Sequence, residues 1–142
     1  MEPAPLGRRA AAWAIDLAIT VVLPFGLYLI VGLVFSDDVP LAVGVPVLLV
    51  LAAFHLLYAP LLLSRSSARS GQTLGKQALG LRVVRPGGER LGLGRALVRE
   101  IVARSLLGLL PLYTVVDLAT PTFNRSRRAI HDRLADTFVV PV

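Results

Sequence analysis

Two long apolar runs limit what this 142-residue chain can fold into. Residues 10–35 are interrupted only by Asp16 and Thr20, and residues 41–63 form a second run that contains His55. An α-helix rises 1.5 Å per residue, so each run is long enough to cross a hydrocarbon core of about 30 Å. A domain of this size has too small a core to bury both runs away from water. We therefore predict an all-α integral membrane protein whose two transmembrane helices form a hairpin.

The composition supports a membrane protein and narrows the possible chemistry. Hydrophobic residues make up 55% of the chain and charged residues 17%, whereas soluble domains are about 25% charged. Because the chain has no cysteine, disulfides, thiolate metal ligands and a cysteine nucleophile are excluded. Neither histidine lies in a hydrolase motif. We expect no metal, no cofactor and no enzymatic activity.

Positive charge is concentrated in residues 64–104, where the cations face only Glu89 and Glu100. We interpret this stretch as a basic, water-facing segment. No aromatic side chain lies between its cations, so the stacking surface that single-stranded nucleic acid needs is missing. We expect no nucleic acid partner, and we expect anionic lipid headgroups of the bilayer to contact the segment.

A third apolar stretch, residues 105–123, is interrupted by Pro111 and Pro121. Proline removes a helical hydrogen bond and kinks or breaks the helix. The stretch is therefore either a single spanning helix or a broken, re-entrant helical hairpin bent at Pro111.

The distribution of charge favours the re-entrant hairpin. Short loops that carry arginine and lysine stay in the cytoplasm, which places Arg8 and Arg9 inside, whereas residues 36–40 contain only acidic charge. Two crossings then return the segment 64–104 to the cytoplasm. A re-entrant hairpin keeps the basic tail, residues 124–142, on that side as well. We predict a multi-pass protein of the cell membrane with both termini cytoplasmic.

Two short segments outside the apolar runs are rich in β-branched side chains. Residues 81–84 and residues 137–140 both have the composition of a strand, and pairing would give each of them an edge partner. We predict a small cytoplasmic β element that joins them. Residues 1–142 then form a single membrane domain.

Asp16 is the most informative single residue. An ionised carboxylate in the middle of a spanning helix costs roughly 2.5–3.5 kcal/mol on insertion scales, so it usually has a partner or a function. Arg9 lies almost two turns away on the same face, about 10 Å along the helix axis, and His55 is expected at a similar depth on the second helix. We consider an ion or proton site formed by Asp16, Arg9 and His55. The alternatives are a partner for Asp16 on another helix and a hydrogen-bonded clamp that no ion passes.

Two further groups of residues have a structural interpretation. Residues 71–76, Gly-Gln-Thr-Leu-Gly-Lys, have three residues between the glycines instead of the four of a phosphate-binding loop, so we predict a close-packed turn. Asp132 has one neighbouring histidine, which is too few ligands for a metal. We expect Asp132 to pair with Arg99 or Arg128 and to clamp the tail to the basic segment.

The chain resembles the RDD family of bacterial integral membrane proteins, which is named for one arginine and two aspartates. Arg9 and Asp16 match the first two signature positions, with the adjacent Arg8 as an alternative, and Asp132 resembles the second aspartate. Three further segments are similar to those of the family: residues 71–76, residues 79–84 and the Arg99–Glu100 pair. Together these motifs span nearly the whole chain. His55 is not part of the signature.

Two functions of different classes are open at this point. The resemblance implies transport, since sodium/proton antiport has been proposed for some family members. Asp16 is then the acceptor of a small cation or proton, and Arg9 tunes its ionisation. The alternative is a non-transporting adaptor or scaffold that binds partner proteins or anionic lipids through residues 64–104. Because one chain offers few crossings, we expect a homo-oligomer or a membrane protein partner.

Overall fold

The first helix extends through most of the first apolar run. The computed structural model describes residues 2–34, 41–124 and 127–142, so the predicted acidic turn, residues 36–40, lies outside the described residues. The helix consists of α1 (Leu6–Leu17), a π-helical turn (Ala18–Val22) and α2 (Leu23–Val34). The helix begins about one turn before the apolar run. Arg8 and Arg9 have a high helix propensity, so they can extend the helix into water, and only the apolar residues need lipid.

The second apolar run forms the single helix α3 (Leu41–Ser64). Two segments are long and apolar enough to cross a membrane, Leu6–Ile30 with a mean hydropathy of 2.0 and Val43–Ser64 with 2.2. Large apolar side chains on both face outward, for example Leu23 and Leu49. Lipid is the solvent that suits such surfaces. The prediction of two apolar helices of spanning length is confirmed.

The third apolar stretch is broken where the sequence places a proline. Helix α5 (Leu93–Leu97) continues as a π-helix (Val98–Leu106) and a 3-10 turn (Leu107–Leu109), and α6 (Pro111–Phe123) follows. The two helical parts, Leu93–Leu106 and Pro111–Phe123, are bent by 119° relative to each other. The break at Pro111 is confirmed.

The remaining elements lie between the apolar helices and after them. They are α4 (Leu74–Ala78), β1 (Leu81–Val84), a 3-10 turn (Pro86–Gly88), α7 (Ile130–Leu134) and β2 (Phe138–Pro141).

A two-stranded antiparallel sheet joins distant parts of the chain. Strand β1 pairs with β2, with Val83 opposite Val139, so the predicted strand pair is confirmed with its second strand shifted by one residue. On the other side of β2, the backbone N–H of Ala4 donates to the Val139 carbonyl at 2.9 Å. The sheet therefore fastens the C-terminal strand to the residues that precede α1.

The buried apolar core surrounds this sheet rather than the middle of the spans. It includes Ala12, Leu63, Leu81 and Val139. Ala12 lies in the second turn of α1 and Leu63 at the end of α3, so the core sits at one end of the helical hairpin. The folded polar segments gather at that same end.

The segment 64–104 differs in one respect from the prediction of a water-facing stretch. Lys76, Arg99 and Glu100 are buried, with 7%, 1% and 5% of their surface exposed. Burial of charged groups is tolerated because opposite charges lie beside them. These contacts form the polar centre of the molecule.

Candidate functional site

The Asp16 carboxylate is held by groups from two other parts of the chain. Tyr58 OH and the Gly75 N–H donate to its Oδ1 at 2.9 and 2.8 Å, and the Thr73 hydroxyl donates to its Oδ2 at 2.5 Å. The ammonium of Lys76 lies 3.8 Å from Oδ2. We call these five residues the Asp16 cradle. The cradle joins α1 to α3 and to α4.

Local sequence explains how α4 reaches the carboxylate. Thr73 caps α4, since its Oγ1 accepts from the Lys76 backbone N–H. A Cβ on Gly75 would lie 2.1 Å from the Ala12 carbonyl oxygen and 2.9 Å from Asp16 Cγ, so only glycine permits this approach. Gly71 has a φ of +77° and equally little room beside Val83. The glycines of residues 71–76 therefore serve close packing, as predicted.

Arg9 and His55 are not among the groups that hold the Asp16 carboxylate in the described part of the chain. His55 Nδ1 lies 3.1 Å from Thr20 Oγ1, and that hydroxyl donates to the Asp16 backbone carbonyl at 2.9 Å. Arg9 instead bonds to Asp132. The side chains of Asp16, Arg9 and His55 therefore do not form the expected group. Arg9 bonds to the carboxylate of Asp132, which lies outside the first helix, whereas the Asp16 carboxylate bonds to groups of α3 and α4.

Lys76 is the one ammonium in the cradle. Burial lowers the pKa of Lys76 to about 8, although the carboxylates of Glu100 and Asp16 act in the opposite direction. The side chain is charged at neutral pH and loses its proton within a small rise in pH. A carboxylate and an ammonium that titrates near neutrality therefore share one buried site.

A second group of charges surrounds Asp132, which is 0% exposed. Arg99 donates to its Oδ1 through Nε at 3.1 Å and through a terminal nitrogen at 2.7 Å, while Arg9 donates to its Oδ2. Arg99 also pairs with Glu100. We call Arg9, Arg99, Glu100 and Asp132 the arginine–aspartate clamp. It contains the Arg99–Asp132 pair expected from the sequence.

The clamp keeps Asp132 ionised. Burial alone would raise the pKa of its carboxyl, but Arg99, His131 and Arg9 hold that pKa well below the usual range. The Ala129 N–H also donates to Asp132, at 3.3 Å. Asp132 therefore ties α7 to the start of α1 and to the π-helix that contains Arg99.

A buried aspartate–histidine pair that was not predicted from the sequence lies next to the clamp. His131 Nδ1 lies 2.7 Å from Asp117 Oδ2, and the His131 N–H donates to Asp117 Oδ1 at 3.0 Å. The other ring nitrogen of His131 lies 3.4 Å from Asp132 Oδ1. Asp117, like Asp16, is a carboxylate within an apolar stretch, and this feature could have identified it from the sequence. The pair attaches α6 to α7 and so to the clamp.

A cavity of about 310 Å³ connects the two groups of charges. Its lining includes Arg9 and Arg99 of the clamp, Lys76 of the cradle, and Arg104 and Asp117 nearby. Among the residues described, no three histidine, cysteine or acidic side chains are grouped to hold a metal ion. The cavity therefore presents cations and hydrogen-bonding groups instead of a metal centre.

The apolar hairpin and the buried charges at one of its ends define a small helical membrane protein. The sequence model of the RDD family matches residues 3–136, nearly the whole chain. The chain belongs to the RDD family. A search of curated proteins and a search of solved structures each found no match.

Proposed function

We propose that this RDD-family protein transports a small cation or a proton, or is a subunit of such a transporter, with Asp16 as the acceptor. The observation that carries the proposal is the Asp16 cradle. A carboxylate on a helix of spanning length faces two hydroxyl groups, from Tyr58 and Thr73, and the ammonium of Lys76. Carboxylates inside membrane segments mark ion and proton pathways in many proteins.

The composition of the cradle supports exchange of one cation for one proton. Carboxylate and hydroxyl oxygens are suitable ligands for hard cations. A charged Lys76 repels an incoming cation, and a neutral Lys76 does not. When Lys76 releases its proton and one monovalent cation reaches Asp16, the net charge of the site stays the same. The pKa of Lys76, about 8, allows this step close to neutral pH.

Access to the cradle is supported by the neighbouring cavity. Lys76 lines the cavity together with Arg104 and Trp13. Trp13 is 44% exposed, which leaves the cavity close to the outer surface of the molecule. On the opposite side, His55 contacts the Asp16 backbone through Thr20. In the proposed mechanism an ion enters past Lys76, and His55 and Thr20 stabilise the π-helical turn behind Asp16.

Flux measurements test the proposal directly. Purified protein is reconstituted in sealed liposomes with a pH-sensitive dye inside, and sodium or potassium is added outside. We expect a dye response from the natural protein and a background response from Asp16→Asn, because the amide keeps a hydrogen-bond acceptor for Tyr58 and Gly75 but has no charge. Lys76→Gln should also give only a background dye response, because this variant has no proton to exchange for the cation.

The matched control for flux is Asp136→Asn, which removes a carboxylate whose side chain is 53% exposed and lies outside the cradle. Its flux should equal that of the natural protein. If Asp16→Asn transports as fast as this control while both are folded, Asp16 is not the acceptor and the proposal is wrong.

An adaptor without transport is the second candidate. Both oxygens of the Asp16 carboxylate already accept hydrogen bonds, which also suits a purely structural clamp. Arg99 is buried and unsuited to contact a partner, whereas Arg95 is exposed. Absence of flux, together with loss of lipid or protein binding in Arg95→Gln, would favour the adaptor.

We further propose that the protein works as a homo-oligomer or with a membrane protein partner. Large apolar side chains cover the outer surfaces of both candidate spans. Two spans alone enclose no continuous pathway, so neighbouring chains are needed to complete its walls.

We also propose that both termini face the cytoplasm. Support comes from the Arg9–Asp132 bond, which keeps α7 beside the start of α1. In this cysteine-free chain, Arg8→Cys and Arg133→Cys are expected to react with an impermeant maleimide from the cytoplasmic side, and Asp37→Cys from the opposite side. Reaction of Arg8→Cys and Arg133→Cys from opposite sides would contradict this topology and would favour a single crossing by residues 105–123.

A further inference from the structure

A second, smaller cavity lies away from the Asp16 cradle and the clamp. It has a volume of about 160 Å³ and is enclosed by residues 67–70, strand β1 and residues 88–90. Its polar lining includes Ser70, Arg82 and Arg90. None of these residues belongs to the proposed transport site.

Two hydrogen-bonding groups of this cavity are buried without a partner. Ser70 is 6% exposed, and its Oγ has no hydrogen-bond partner among the described residues. The same holds for Nε of Arg82, although a terminal nitrogen of this guanidinium donates to the Ala68 carbonyl at 2.7 Å. Buried polar atoms are nearly always paired in folded proteins, and leaving one unpaired costs free energy. Arg82 Nε can only donate and the Ser70 hydroxyl can donate as well, so an acceptor in the cavity would satisfy both groups.

The charges around this second cavity favour the binding of a negatively charged ligand. Arg82 and Arg90 both line it. Glu89 is the one carboxylate in the described lining, and it pairs with Arg85. The described lining therefore carries more positive than negative charge, with Arg82 and Arg90 against Glu89 alone. Arginine binds phosphate oxygens through two parallel, charge-assisted hydrogen bonds.

We infer that this cavity binds a phosphate group, with Ser70 and Arg82 as hydrogen-bond donors and Arg90 as a further positive charge. The phosphate belongs either to a free anion or to a lipid headgroup. Helix α3 ends at Ser64, and three residues reach at most about 10 Å. The cavity thus lies within reach of the headgroup region at the end of this span. The inference does not depend on transport by Asp16.

Binding measurements with two probes test the site. The protein in detergent is titrated with inorganic phosphate and with short-chain dihexanoyl phosphatidic acid, at constant ionic strength. Calorimetry gives the affinity, and thermal unfolding gives the shift in Tm. We expect saturable binding and a higher Tm for the natural protein. Ser70→Ala and Arg82→Gln should each bind at least about tenfold more weakly, since each loses one hydrogen bond to a charged group.

The variants separate ligand binding from a structural role. Without ligand, Ser70→Ala should have a Tm no lower than the natural protein, because its hydroxyl has no partner in the described structure. Arg133→Gln, which removes an exposed arginine outside the cavity, should bind both probes normally.

The two probes also identify the source of the phosphate. Binding of inorganic phosphate would indicate a free anion, and binding of phosphatidic acid alone would indicate a lipid headgroup. Either result supports the site. If neither probe binds saturably at millimolar concentration, or if Ser70→Ala binds as well as the natural protein, the inference is overturned.

Discussion

Replacing Asp132 with asparagine is expected to lower the free energy of unfolding by roughly 3–5 kcal/mol, the usual effect of removing one partner from a buried ion pair. The carboxylate is fully buried and bonds to two arginines, Arg9 and Arg99. The amide has no charge, so Arg99 would stay buried with Glu100 as its remaining carboxylate partner. Thermal or denaturant unfolding in detergent measures the difference.

Asp136→Asn is the matched control for this experiment. Asp136 pairs with Arg128 at 3.1 Å, but its side chain is 53% exposed. Exposed pairs contribute about 1 kcal/mol or less. Asparagine also tolerates the positive φ of Asp136. Equal losses of stability in the two variants would show that the buried clamp contributes no more than a surface ion pair.

The effect of Asp132 depends on pH in a defined direction. The pKa of this carboxyl is about 3.9 in an unfolded chain and lower in the folded protein. Its stabilisation is therefore complete above about pH 4–5 and is lost as the pH falls toward the folded pKa. We expect the difference in stability between the natural protein and Asp132→Asn to be constant from pH 8 to about 5 and to shrink below about 4.

Gly75→Ala is expected to cost at least the upper part of the roughly 1–3 kcal/mol typical of overpacked sites. The new Cβ would lie 2.1 Å from the Ala12 carbonyl oxygen, a backbone atom that cannot rotate away, and 2.9 Å from the Asp16 carboxylate. Helix α4 must move away from α1, which lengthens the bond from the Gly75 N–H to Asp16. Unfolding in detergent should show a lower Tm, and the flux assay should show a slower response.

Gly94→Ala is the control for Gly75→Ala. Gly94 lies within α5, and a Cβ there meets no described atom within 4 Å. Alanine favours a helix over glycine by about 1 kcal/mol, so this variant should be as stable as the natural protein or more so. A Gly75→Ala protein as stable as Gly94→Ala would mean that α4 does not need its close contact with α1.

Local patterns in the sequence were sufficient for the helical framework. The length of an apolar run determines whether a helix can cross lipid. Pro111 starts a new helix after the break, as proline at a first helical position commonly does, whereas Pro46 and Pro60 stay inside the continuous helix α3 and Pro121 stays inside α6. The strand pair was also predictable to within one residue, because residues 81–84 and 137–140 are both short segments rich in β-branched side chains that need a partner. Each of these predictions depends on properties of neighbouring residues.

The contacts of the charged groups were only partly predictable. Asp16 was identified by its cost in lipid, but its partners Tyr58 and Thr73 lie 42 and 57 residues further along the chain. Arg9 is separated from Asp132 by 123 residues. No periodicity relates such positions, since their contact depends on how α4 and α7 pack against α1. The sequence predicted that Lys76, like the other cations of residues 64–104, faces water. The packing of α4 against α1 buries it instead.

The Arg9–Asp132 bond has a consequence for synthesis of the protein. Arg9 leaves the ribosome early, and at about 5–20 residues per second Asp132 follows on the order of ten seconds later. During that interval Arg9 has no Asp132 to neutralise it, so its full positive charge lies beside the first apolar helix. Strand β1 likewise has no strand to pair with until β2 has been synthesised, so its edge stays open during that interval. A chain that stops before Asp132 and β2 therefore keeps an unpaired arginine and an open strand edge, which can pair with another chain.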